Sequence, residues 1–250
     1  MNQLNLNEVR EYVNDNIGKF HWGRVRSLEN AKLDKLLKKN PYLFKAKNLV
    51  TAGALIQSLM DAYLSSSEEG LFGEFLENLA VFVAEKTLGG HKSAAPGVDL
   101  EFIKNEIHFV ISVKSGPNWG NSSQQSKLEQ DLKNAVVRIK QSKVAKNVQP
   151  VLGICYGKTK TSFLRGYLKI VGQNFWYLIS ENKNLYTEII EPIGYRSKEH
   201  DEAFYVEKCN AINRFTKLFM DRFCDENGAI NWVKVVEFTC RNYDLEKFLS

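Results

Sequence analysis

An α/β fold is predicted for this sequence: a mixed central sheet flanked by helices, with helical N- and C-terminal parts. Three observations carry that expectation. Two runs with strand character, VDLEFI (98–103) and IHFVISV (107–113), are joined by Lys104-Asn105-Glu106 as a hairpin would be. Beyond them, Leu128, Leu132, Ala135, Val136 and Ile139 recur at helical spacing, and two further strand-like runs follow at 148–157 and 163–172. Strand–strand–helix–strand–strand requires a crossover to the third strand, hence a sheet that is parallel in part.

In chain order, residues 1–90 read as mostly helical. Helix-spaced apolar residues in VREYVNDNIGKFHWGRV are expected to break at Gly18 and Gly23. SLENAKLDKLLKKN reads as a short amphipathic helix with Ser27 as its N-cap and Pro41 after its end. Two packed helices are expected over residues 48–90, separated by Ser65–Ser67, with Gly89-Gly90 ending the second. On that second helix Gly73, Glu77, Ala80 and Ala84 share a face of small residues interrupted by one carboxylate, whereas Glu74 falls on a solvated face.

The run 148–157 is apolar enough for a central strand, and in the run 163–172 Arg165, Tyr167 and Lys169 are expected to alternate to one face. From Asn174 onward the chain reads as helical with aromatic packing residues, the final WVKVVEF being strand or short helix. One domain over 1–250 is expected, made of an N-terminal helical part (1–69), a core (70–172) and a mostly helical C-terminal part (173–250).

Composition narrows the function. Hydrophobic residues are 44% and charged residues 25%, which suits a globular protein. No apolar run approaches the roughly 18 residues of a membrane span, and the polar N-terminus argues against a signal peptide, so a cytoplasmic protein without membrane contact is expected. Cys155, Cys209, Cys224 and Cys240 are widely spaced with no C-x-x-C pair, which disfavours zinc. The net charge of +5 is unevenly held: residues 126–169 contain ten basic side chains, Lys143 among them, against only Glu129 and Asp131. A basic middle in an otherwise slightly acidic chain fits a polyanion-binding face, though a solvated helix face reads the same way.

The hairpin brings the chemistry together. Alternation puts Ser112 and Lys114 on one face of the second arm, and pairing around residues 104–106 places Asp99 across from that end. A carboxylate and a lysine on rigid backbone suit metal-assisted phosphodiester hydrolysis. Asp99 would hold a hard cation, most plausibly Mg2+, with the main-chain carbonyl of Val113 completing the coordination. The cation polarises the phosphoryl group and activates water, while Lys114 orients that water or neutralises developing charge.

These residues resemble the PD-(D/E)xK nuclease superfamily, specifically its type II restriction endonucleases. PGVD (96–99) looks like the PD element and SVK (112–114) like (D/E)xK, with Asp99 and Lys114 fifteen positions apart. The resemblance covers residues 70–172 and implies a restriction-endonuclease-like αβββαβ core, cleavage of specific double-stranded DNA sequences with Mg2+, and a homodimer. It departs at Ser112, which stands where the family has an acid. A second carboxylate must then come from elsewhere: Glu77 from the preceding helix, Glu129 from the following one, or Glu101 from the strand face of Asp99. Glu77 is preferred for its small, apolar surroundings.

In the loop after Lys114, Asn118, Asn121, Gln124 and Trp119 are candidate DNA contacts; the same asparagines would equally serve as helix caps. Arg165 and Lys169 are candidate phosphate contacts, with salt bridges as the alternative. Two other functions remain open on the sequence, a structure-specific repair or junction nuclease and a DNA-binding protein with a decayed site.

Overall fold

The computed structural model describes residues 3–142 and 145–249; Lys143, counted above in the basic segment, lies outside them. The helices that open the chain are α1 (Leu6–Glu29), α2 (Leu33–Leu36), α3 (Pro41–Ala46) and α4 (Ala52–Leu88). Next come β1 (His91–Lys92), β2 (Leu100–Lys104), β3 (Ile107–Lys114), α5 (Ser122–Gln141), β4 (Asn147–Ile154), β5 (Ser162–Leu164) and β6 (Tyr167–Val171). The remainder is helical: α6 (Gln173–Ser180), α7 (Leu185–Glu188), α8 (Ile190–Ile193), α9 (Ser197–Phe223), α10 (Trp232–Cys240) and α11 (Glu246–Leu249).

Several local expectations are corrected. Helix α1 runs unbroken through Gly18 and Gly23, because Val9, Val13 and Ile17 keep one stripe buried and outweigh the ~1 kcal/mol that an interior glycine costs. Ser27 is therefore no N-cap; its hydroxyl donates back to the Gly23 carbonyl and meets the Ser67 hydroxyl at 2.8 Å. The single helix expected over SLENAKLDKLLKKN does not form: its start belongs to α1, only Leu33–Leu36 make α2, and Pro41 opens α3, with Asn40 capping it through Tyr42 N and Leu43 N. The two helices expected over 48–90 are one, since the serine run stays helical, with the Ser66 hydroxyl bonding the Ala62 carbonyl four residues back.

The chain divides into two compact units, Met1–Gly18 with Leu71–Tyr195 and Lys19–Gly70 with Arg196–Ser250. The first holds a six-stranded mixed sheet in the order β1-β2-β3-β4-β6-β5. Neighbours β1–β2, β2–β3 and β6–β5 are antiparallel, while β3–β4 and β4–β6 are parallel. Helix α5 is the crossover between β3 and β4, as the order of elements requires. Its Leu128, Leu132 and Ala135 pack with Val110, Leu152 and Ile154 of the sheet. Thr87 of α4 ties into α6 through a 2.6 Å hydrogen bond to the Ile179 carbonyl, and Tyr12 of α1 stacks on Phe82 at 4.1 Å.

The expected single strand over 163–172 is a hairpin. Leu164 pairs with Tyr167, and Arg165 and Gly166 form the turn with φ of 35° and 92°. The second unit is helical around Leu36, Ile56, Met60, Phe215, Phe219 and Val235, and the WVKVVEF run is helix α10 within it.

Gly153 in the central strand β4 leaves room for one aromatic ring: a Cβ there would lie 2.3 Å from Phe175 of α6 and 3.2 Å from Ile111. Both neighbours are fully buried in the core, so making room there disturbs its packing. Gly153→Ala is expected to destabilise the protein by about 1–3 kcal/mol, measurable as a lowered urea midpoint at unchanged slope.

Candidate active site

The β2–β3 hairpin closes with a two-residue turn. Asn105 and Glu106 take φ of 49° and 62°, and Lys104 pairs directly with Ile107. That turn sets the register, Leu100 opposite Ile111, so Asp99 lies across from Ser112. Asp99 N donates to the Ile111 carbonyl at 2.8 Å and carries the pairing one residue past β2. The approach to Asp99 is a tight turn in which Gly97 has φ +71° and a Cβ would strike the Asp131 carboxylate of α5 at 2.4 Å. Only glycine satisfies both conditions.

Asp99 Oδ2 accepts from Val113 N at 2.6 Å and from the Ser112 hydroxyl at 3.3 Å, while Lys114 Nζ stands 3.8 Å away. The same ammonium donates to the Val113 carbonyl at 2.9 Å. It lies, that is, against the two oxygens that the sequence offered to a cation. Ser112, 1% exposed, is sealed in the sheet beneath.

Glu77 reaches the same place from α4. Its helix face is small as expected, with Ala80 and Ala84 fully buried and a Cβ on Gly73 falling 3.6 Å from the Ser115 hydroxyl, just past Lys114. Glu77 Oε1 is 3.4 Å from Lys92 Nζ on β1. Burial, and then the charge of Asp99, hold the Glu77 carboxyl above its ordinary range, against the opposing pull of Lys92 and Lys114. Two carboxylates are thus close enough to repel, with lysines in attendance. The thiol of Cys155, at the end of β4, is pushed up to about 12, first by burial and then by Glu77, so it is inert.

The other two candidate acids are engaged elsewhere. Glu101 receives the Ser93 hydroxyl on one oxygen and meets His108 Nε2 at 2.9 Å with the other. Glu129 pairs with Arg165 at 3.1 Å. Among the loop candidates, Asn121 and Gln124 form a capping box on α5: Asn121 Oδ1 accepts from Gln124 N at 3.1 Å, and Gln124 Oε1 from Asn121 N at 2.9 Å. Trp119 is half-buried on the α5 core with Lys114 Nζ 5.9 Å from its ring, and Asn118 is exposed.

Arg165 and Lys169 do not share a strand face, because Arg165 sits in the β5–β6 turn. Lys169 is half-buried, in register with Leu152 and Ser162. Lys92 and the Gly97–Asp131 packing were missed in the sequence. A two-residue strand has no periodicity to detect, and nothing local announces that a glycine faces a helix thirty-odd residues on.

Oxygen donors dominate the site: two carboxylates and a main-chain carbonyl, with the sulfur beside them protonated. That set fits Mg2+, which binds through one or two carboxylates and keeps several waters. Among the described residues no three His, Cys, Asp or Glu side chains gather as a metal cluster, and no helix is long and apolar enough to cross a membrane. The family model described as type II restriction endonuclease EcoO109I matches residues 7–201. No curated protein matches the chain.

Proposed function

The chain belongs to the EcoO109I family of type II restriction endonucleases, and we propose that it cuts specific duplex DNA sequences with Mg2+ held by Asp99, Glu77 and the Val113 carbonyl. A cation bound there polarises the scissile phosphate and supplies a water nucleophile at neutral pH.

The protein's own part begins with Asp99. Its carboxylate is fixed by the Val113 amide, so it needs no reorganisation when substrate arrives. Lys114, held on rigid strand at the mouth of the hairpin, aligns the attacking water and offsets charge growing on the phosphate oxygens. Ser112 holds Asp99 through its hydroxyl in place of the family's acid, and Glu77 supplies the missing negative charge from α4. Trp119 forms one wall. Asn118, Lys169 and the exposed cations of α5 are the DNA contacts of this unit, while Asn121 and Gln124 support them by fixing the start of α5. Arg165, exposed on its turn and paired with Glu129, adds positive charge to that face.

Cutting both strands of a duplex calls for two such sites related by a two-fold axis, so the working form is a homodimer acting in the cytoplasm. The observation that carries the reading is Asp99 and Lys114 meeting at 3.8 Å, with the half-buried Glu77 carboxylate within reach of the charge of both. Digestion of DNA of known sequence with Mg2+, followed by end sequencing, tests it: a single recurrent end sequence is expected, and intact DNA across all divalent cations would overturn it.

A stability signature accompanies the site. Because the folded protein holds the Glu77 carboxyl above its unfolded value, protonated Glu77 favours the fold at acid pH. That benefit is lost as pH rises through the raised value. Without metal, Glu77→Gln is therefore expected to melt higher than wild type at neutral pH, with the gain disappearing below the carboxylate range. Thermal melts across pH check this, and a variant that melts lower at neutral pH would contradict it.

A further inference from the structure

Outside the catalytic unit, the strongest concentration of charge lies where α2 and α3 cross the surface of the helical unit. Residues 32–47 carry Lys32, Lys35, Lys38, Lys39, Lys45 and Lys47 against a single acid, Asp34. All the lysines but the half-buried Lys39 are exposed. Asp34 is taken by Arg222 at 2.7 Å, and among the described residues none of the six ammonium groups has a carboxylate partner.

Four of the six are nevertheless held in place. Lys35 lies over the Tyr63 ring at 5.2 Å, Lys45 over Trp232 at 5.3 Å and Lys47 over Phe44 at 5.0 Å, and Lys39 donates to the Ser66 hydroxyl. Lys38 and Lys39 border a groove of about 550 Å3 whose other walls include the exposed Tyr42. Six like charges within sixteen residues repel one another. Solvated lysines that merely cover a helix are ordinarily interleaved with acids on that surface. Here a single acid stands against six lysines, and aromatic rings hold three of the ammonium groups, a surface suited to an extended anion.

We infer that this α2–α3 surface is a second, sequence-independent contact with the phosphate backbone of duplex DNA, made by the helical unit. It rests on the DNA substrate of the proposed function but uses none of the catalytic residues. Phosphate contacts of this kind position a protein on DNA and add affinity without reading bases. Each also releases counterions, so log K falls with log salt concentration by about 0.9 per phosphate neutralised.

The test is fluorescence anisotropy of the full chain on a labelled duplex of about 30 base pairs in EDTA across a salt series. Replacing Lys32, Lys38, Lys45 and Lys47 by Gln is expected to lower the salt slope by about 0.9 for every phosphate no longer neutralised, up to about 3.6 if all four lysines act. The same four positions changed to Arg should keep the wild-type slope. An unchanged slope in the glutamine variant, or an equal fall in the arginine variant, would overturn the inference. Should the fourfold glutamine variant not fold, Lys45→Gln with Lys47→Gln is read the same way. Wild type that cuts DNA while the glutamine slope stays unchanged refutes this surface alone. Wild type with no affinity for DNA refutes the catalytic reading as well.

Discussion

Asp99→Asn should bind duplex DNA and leave both strands intact, with kcat down on the order of 10²–10³-fold or more, the scale set by loss of one preorganised electrostatic group. Asparagine is the informative replacement. Its carbonyl oxygen can still accept from Val113 N, so the short bond that organises the end of the hairpin survives while the charge is removed. Alanine would leave that buried amide unsatisfied at a cost of about 1–3 kcal/mol and blur chemistry with folding.

Lys114→Met is expected to behave in parallel, since its ammonium contacts both Asp99 Oδ2 and the Val113 carbonyl. Single-turnover cleavage beside anisotropy on the same duplex separates the two effects. If both variants cut at the wild-type rate, the hairpin is not the catalytic centre.

The second large effect concerns the origin of the missing acid. Glu77→Gln should lose at least about 100-fold in cleavage at limiting Mg2+, the upper end of what removing a supporting group at a metal site costs. Raising Mg2+ should recover part of the rate. Glu129→Gln and Glu101→Gln should stay close to wild type, because one carboxylate is spent on Arg165 and the other on Ser93 and His108. The assignment fails if Glu129→Gln is the inactive variant and Glu77→Gln cuts normally. Together with the rise in stability expected of Glu77→Gln at neutral pH, this would mark Glu77 as a residue retained for function at a cost to stability.

Local chemistry makes the β2–β3 hairpin legible in the sequence. Alternation in IHFVISV and a short polar connection are short-range signals, and the pairing they impose follows from backbone geometry. The meeting of Asp99 with Ser112 and Lys114 was therefore readable, as were the α5 crossover and the small face around Glu77. The helix breaks were not. Gly18, Gly23 and the Ser65–Ser67 run carry real local preferences against helix, yet each costs about 1 kcal/mol or less. Burial of Val9, Val13 and Ile17 on one helix, and of Leu59, Leu64 and Leu76 on the other, outweighs it. The Arg165 turn was missed because an arginine at positive φ has no sequence signature.

Residue types and spacing were enough to put a carboxylate and a lysine on adjacent strands, while the serine in place of an acid, and with it the expectation of a second carboxylate, came from the family resemblance. The preference for Glu77 over Glu101 and Glu129 could be drawn from its small-faced helix alone, and its tertiary support is of another kind. It rests on which side chains find other partners, through Arg165 thirty-six residues from Glu129 and His108 seven from Glu101. It rests equally on the packing of α4 against the end of β3, which puts Glu77 close enough to Asp99 for their charges to repel. Strand pairing is written in neighbouring residues, whereas the electrostatic environment of a carboxylate is a sum over groups that only the folded chain assembles.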